Sequence, residues 1–108
     1  MIEIRQTAEY RRWFERLRDR QAQFRILARI RRLSLGNPGD AAAVGQGIME
    51  LRIDAGPGYR VCFCRRGESI VVLLAGGSKR TQQRDIEKAK QLARGLGEGD
   101  EPDGQDQD

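Results

Sequence analysis

The stretch Gly47-Ile48-Met49-Glu50-Leu51-Arg52-Ile53-Asp54-Ala55-Gly56-Pro57-Gly58-Tyr59-Arg60-Val61-Cys62-Phe63-Cys64-Arg65-Arg66-Gly67-Glu68-Ser69-Ile70-Val71-Val72-Leu73-Leu74 decides the fold. Its first part alternates with the period of a β-strand: Met49, Leu51 and Ile53 share one face, and Ile48, Glu50, Arg52 and Asp54 share the other. Ala55-Gly56-Pro57-Gly58 is turn chemistry. The next strand sets Tyr59, Val61 and Phe63 against Arg60, Cys62 and Cys64, and Arg65-Arg66-Gly67-Glu68 turns the chain again. Ile70-Val71-Val72-Leu73-Leu74 is apolar without interruption, as a strand covered on both faces is. Three such strands with short turns predict an antiparallel meander.

Outside the meander the period lengthens. Ile2-Glu3-Ile4-Arg5 reads as a short opening strand, and Thr7 stands where an N-cap belongs. Tyr10, Trp13, Phe14 and Leu17 then form an apolar stripe at helical spacing, flanked by Arg11, Arg12, Arg16 and Arg18. Asp19 predicts a second cap, for a helix with the stripe Ala22, Ile26, Ile30 and Leu33, widened by Phe24, Leu27 and Ala28. Its other face holds Arg25, Arg29, Arg31 and Arg32. Gly36-Asn37-Pro38-Gly39-Asp40 ends it, which makes a helical hairpin. After the meander, Gly76-Gly77 breaks the sheet, Ser78 caps, and a third helix turns Ile86, Ala89, Ala93 and Leu96 inward. The expectation is an α+β domain over residues 1–95, in the order β-α-α-β-β-β-α. Residues 96–108, rich in Gly, Asp, Glu and Gln, bury too little apolar surface to order and are expected to be a disordered acidic tail.

The chain has 108 residues, enough for one domain and too few for a two-domain enzyme. Nothing approaches the ~18 apolar residues of a membrane helix, and the N-terminus lacks the apolar stretch of a signal peptide, so a soluble cytoplasmic protein is expected. Cys62 and Cys64 sit too close along one strand for a disulfide of ordinary geometry. The chain has no histidine, so Ser-His-Asp and Cys-His mechanisms are excluded, and a lone Cys-x-Cys cannot fill a zinc site. No metal and no cofactor are expected.

Charge points to the partner. There are 20 Lys and Arg against 16 Asp and Glu, but six of the acids (Glu98, Asp100, Glu101, Asp103, Asp106 and Asp108) lie beyond the last basic residue, Arg94. The domain itself is strongly basic, and 17 of its cations are arginine, whose planar fork suits phosphate. A polyanion, most simply nucleic acid, is the implied partner. Alternation places Glu50, Arg52, Arg60 and Cys62 on the sheet face away from the hairpin, and Lys79 and Arg80 return beside it. Three arginines in such a patch can hold a phosphodiester and stabilise the charge gained during cleavage. RNA carries its own nucleophile, the 2′-OH, so cleavage needs positioning, charge stabilisation and proton transfer. Glu50 is the carboxylate placed to accept a proton.

The strings Gly47 to Val61, Leu74-Ala75-Gly76-Gly77-Ser78-Lys79-Arg80-Thr81-Gln82 and Asp85-Ile86-Glu87-Lys88-Ala89-Lys90, with Arg29 to Leu33 and Gly36 to Asp40 upstream, resemble the addiction-module killer proteins. These are HigB-like members of the RelE/ParE toxin superfamily. The resemblance covers residues 2–94 and implies a helical hairpin packed on a twisted sheet of about four strands. It also implies a toxin that cleaves mRNA in the ribosomal A site without a metal, held inactive by a cognate antitoxin of helix-turn-helix, DNA-binding type. By position, Arg60 matches the arginine on the scissile phosphate and Arg80 a second phosphate arginine. Arg52 and Glu50 fall near positions where relatives carry lysine, and Ile86 stands where RelE has tyrosine. Lys79, Arg84 and Arg65 are the further cations expected to bind RNA. The ParE branch offers the alternative of a non-enzymatic toxin acting on DNA gyrase, and a remnant that only binds antitoxin is the third possibility.

Overall fold

The computed structural model describes residues 1–96; residues 97–108, where the disordered tail is expected, lie outside the described residues. The elements are β1 Glu3–Gln6, α1 Ala8–Arg16, α2 Arg20–Ser34, β2 Ala41–Gly45, β3 Ile48–Ile53, β4 Tyr59–Arg66, β5 Ile70–Ser78, a 3-10 turn Lys79–Thr81, and α3 Gln82–Leu96. Leu96, expected in the inward stripe of the third helix and also as the first residue of the tail, closes α3 and is buried. The strands form one sheet in the order β1-β5-β4-β3-β2. β2 to β5 are an antiparallel meander, and β1 runs parallel to β5.

The strand that alternation did not reveal is β2. Ala41-Ala42-Ala43-Val44-Gly45 has no polar-apolar period and little intrinsic strand preference. It forms because β3 would otherwise be an open edge, and Gln46 and Gly47, both at positive φ (56° and 78°), make a two-residue turn whose twist suits a hairpin. The expected sheet of three or four strands therefore has five.

The hairpin is tied down at its caps. Thr7 Oγ1 accepts from the Tyr10 N–H at 3.0 Å, and the same hydroxyl donates to the Leu74 carbonyl at 2.7 Å. One buried side chain thus starts α1 and anchors it to β5. Asp19 does the equivalent for α2, accepting from the Ala22 N–H at 3.0 Å. Beneath the hairpin, Tyr10, Ile26 and Leu33 pack on Leu51, Ile53, Val61, Phe63, Val71 and Leu73. On the opposite sheet face α3 buries Ile86, Ala89 and Leu96 against Ile48, Cys62, Cys64, Val72 and Leu74. This face, on which alternation places Glu50, Arg52 and Arg60, is apolar along most of its length and charged at one end.

Two sequence expectations about α2 fail for one geometric reason. Phe24 (78% exposed) and Leu27 (52% exposed) do not widen the core stripe, and Ala28 is exposed as well. A single sheet face receives only the row through Ala22, Ile26 and Leu33, which lies across the helix from Phe24. Conversely, Arg29 turns inward. Its guanidinium donates to the carbonyls of Arg52, Pro38 (3.0 Å) and Asp40 (3.1 Å), stapling α2 to the loop before β2 and to β3. Arg29→Ala should lower unfolding stability by about 1–2 kcal/mol in urea denaturation, against a change within about 0.5 kcal/mol for exposed Arg31→Ala.

A second prediction arises at the end of β5. A β-carbon at Gly76 would overlap the Trp13 ring, which itself meets the Tyr59 ring edge-on at 6.3 Å between centroids. Gly76 has no unusual φ, so the need for glycine is steric. Gly76→Ala should cost about 1–3 kcal/mol through overpacking, read as a lowered melting temperature and a changed Trp13 fluorescence.

Candidate functional site

Strand register brings the central charges together. Arg52 on β3 sits directly opposite Arg60 on β4, and Glu50 opposite Cys62. Like charges facing across an antiparallel pair repel. Glu50 offsets this: its Oε1 lies 3.0 Å from Arg60 Nη1 and 3.7 Å from Arg52 Nε. Arg52 also approaches Asp40 at 3.7 Å.

Glu50 is fully buried at 0% exposure, and a buried carboxylate costs several kcal/mol unless it is paired and hydrogen-bonded. Gln82 completes the set, its Nε2 donating to Oε1 at 3.1 Å and to Oε2 at 3.0 Å. Sequence reasoning missed Gln82. The signal was its place one turn ahead of Ile86, at the head of the inward stripe of α3, where a polar side chain must find a buried partner. Both oxygens of Glu50 are thus engaged and shielded from solvent, with Arg60 bonded to it and Arg52 nearby. The carboxylate expected to accept a proton faces Arg60 and Gln82 rather than open solvent.

The other expected residues divide. Gly77 pairs with Arg60 and Ser78 with Tyr59, so the turn Lys79–Thr81 emerges beside Arg60. Ser78 caps that turn, accepting from the Arg80 N–H at 3.2 Å, and the Lys79 N–H donates to the Gly58 carbonyl at 2.8 Å. Lys79 and Arg80 are exposed, and among the described residues no hydrogen bond or ion pair engages the Arg80 guanidinium. Arg84 points elsewhere, into a cleft of about 360 Å³ between α1 and α3 that Arg12, Trp13, Arg16 and Lys88 also line. Arg65 pairs with Val71, whose side chain belongs to the hairpin core, so it lies on the other sheet face, roughly 16 Å along β4 from Arg60. Arg84 and Arg65 are not part of the cluster.

A further carboxylate was not anticipated. Asp85 lies over Gly77, in space that a β-carbon there would fill, and accepts from the Thr81 hydroxyl. Burial raises its pKa above the ordinary carboxyl value, opposed by the Thr81 hydrogen bond and the Arg84 charge. The adjacent glycines were the sequence trace of this close approach. Cys62 is sealed beneath the same face: burial, reinforced by the Glu50 and Asp85 charges, pushes its thiol up to about 12. Both cysteines are free, and burial raises the Cys64 thiol as well. Neither has the electropositive, accessible setting of a nucleophile. Among the described residues, no group of His, Cys, Asp and Glu side chains is arranged to hold a metal ion, and no helix is long and apolar enough to cross a membrane.

A helical hairpin on one side of a twisted meander, a helix on the other and arginines braced at the open end define a small α+β domain of RelE-like fold. The chain belongs to the Gp49-like phage-derived family, a RelE-like family of toxin-antitoxin systems: residues 12–94 match the family described as Phage derived protein Gp49-like (DUF891). A Haemophilus influenzae protein, described as an uncharacterized protein, is 47% identical over 96 residues, which cover 89% of this chain and 97% of its own length. No solved structure matches.

Proposed function

We propose that the chain is the toxin of a type II toxin-antitoxin pair, HigB-like in action, and that it cuts mRNA on the ribosome. The observation that carries this reading is Arg60 held by a buried carboxylate, with Arg80, which has no ion pair or side-chain hydrogen bond among the described residues, on the turn that follows its partner strand. Arg60 Nη1 is taken by Glu50, and among the described residues no other acceptor occupies its remaining donors. Those donors and Arg80 would bind the scissile phosphate, with Arg52 beside them and Lys79 on the flanking backbone. The RNA 2′-OH is the nucleophile, so the protein supplies position and charge rather than a covalent intermediate. Arg84 and Arg65 fit only as outer contacts with longer RNA.

The partner would be a cognate antitoxin that also binds DNA through a helix-turn-helix, with both proteins acting in the cytoplasm. The exposed Phe24, Leu27 and Leu35 on and after α2 suit an amphipathic antitoxin segment better than water.

Primer extension on a defined mRNA in reconstituted translation, with and without ribosomes, tests the reading. Cuts within codons that need ribosomes and vanish in Arg60→Ala are the expected result. One observation favours a second reading: Glu50 is closed off and the chain has no histidine, so proton transfer lacks an obvious carrier. Intact mRNA from folded protein would move the assignment to a ParE-like toxin acting on DNA gyrase, or to an inactive antitoxin binder. The two differ in whether replication stops on induction.

A further inference from the structure

We infer that the groove between α1 and α3 is the docking site for this chain's own acidic segment, residues 97–108. Two clefts lie between α1 and α3: one of about 300 Å³ lined by Thr7, Ala8, Leu92, Gly95 and Leu96, and the 360 Å³ cleft of Arg12, Trp13, Arg16, Arg84 and Lys88, with Glu9 lining both. The groove's far end is basic: four cations stand against two carboxylates, Glu9 and Asp85. Glu9 is shared by Arg12 (3.0 Å) and Lys88 (3.6 Å). Among the described residues Arg16 and Arg84 have no ion pair or side-chain hydrogen bond. Trp13 and the backbone of Ala75 and Gly76 form the wall, where β5 has run past the end of β1, whose pairing stops at Leu73.

Three observations select the occupant. The groove's near end is made by Gly95 and Leu96, so the acidic segment leaves the domain at its mouth. The segment carries Glu98, Asp100, Glu101, Asp103, Asp106 and Asp108 and no cation, the complement of the far end. Its length suffices: from Leu96 back to Arg84 is roughly 18 Å along α3, and twelve extended residues reach roughly 40 Å. Tethering makes the encounter intramolecular, so weak individual contacts suffice. The family match ends at residue 94, before this segment begins. The inference does not depend on nuclease activity, because none of Glu50, Arg52, Arg60 and Arg80 lines either cleft.

A nitroxide on the thiol introduced by Gln107→Cys tests it in the full-length chain, since the buried Cys62 and Cys64 resist labelling. At low salt the Trp13 indole and the Arg84 and Lys88 amides should lose about half their NMR intensity or more, and recover near 1 M salt, where the Debye length is about 3 Å. Arg16→Glu with Lys88→Glu should abolish the attenuation. Attenuation confined to the last turn of α3, spread evenly over Arg31, Arg65 and Arg66, or unchanged in the double variant overturns the inference. So does a single-stranded oligoribonucleotide that shifts the groove resonances while the label attenuates none of them, which would assign the groove to RNA.

Discussion

Glu50→Ala is expected to lower the unfolding free energy by about 3–5 kcal/mol, the cost of breaking a buried, hydrogen-bonded ion pair by removing one partner. Arg60, only 18% exposed, would lose its acceptor while still facing Arg52 across the strands, and Gln82 would lose both of its bonds. Urea denaturation followed by far-UV circular dichroism measures the loss. Glu50→Gln keeps the shape and should cost less, because an amide oxygen still accepts from Arg60. Glu50→Met with Arg60→Met should recover much of the alanine loss, since a hydrophobic replacement of a whole buried pair is often neutral or better. Glu50→Ala within 1 kcal/mol of the parent would mean that water already reaches the carboxylate.

Under the proposed function, Arg60→Ala is expected to reduce ribosome-dependent cleavage by roughly 10²–10³-fold, the usual effect of deleting one donor to a developing oxyanion. The variant also leaves Glu50 short of a partner, so folding has to be checked by circular dichroism alongside the assay. Arg60→Lys separates the two effects. It keeps a positive charge next to Glu50 but cannot present a planar fork to phosphate, and should retain stability while losing most of the activity. Full cleavage by Arg60→Lys would reduce the residue to a charge on the surface. If Glu50→Gln, once shown to be folded, cleaves normally, Glu50 is a positioning residue and the proton goes elsewhere.

Much of this architecture is determined locally. The alternation from Ile48 to Cys64 sorts side chains onto two faces because a strand offers nothing else, and Leu51, Ile53, Val61 and Phe63 do lie under the hairpin with Glu50 and Arg60 on the reverse. Thr7 and Asp19 cap their helices because a short oxygen-bearing side chain satisfies orphan N–H groups wherever a helix starts. Charge type and its division between domain and acidic segment are likewise properties of composition.

Whatever depends on which surfaces meet was decided only by the tertiary structure. β2 exists because β3 presents an edge, and Phe24 is exposed because the sheet covers one row of α2 and no more. Glu50 is buried because α3, beginning 32 residues later, lays Gln82 across it. No periodicity in one strand reports what a distant helix will cover, so the sequence identifies the charges of the site, while long-range packing determines that Glu50 is held inside it and Arg80 left open.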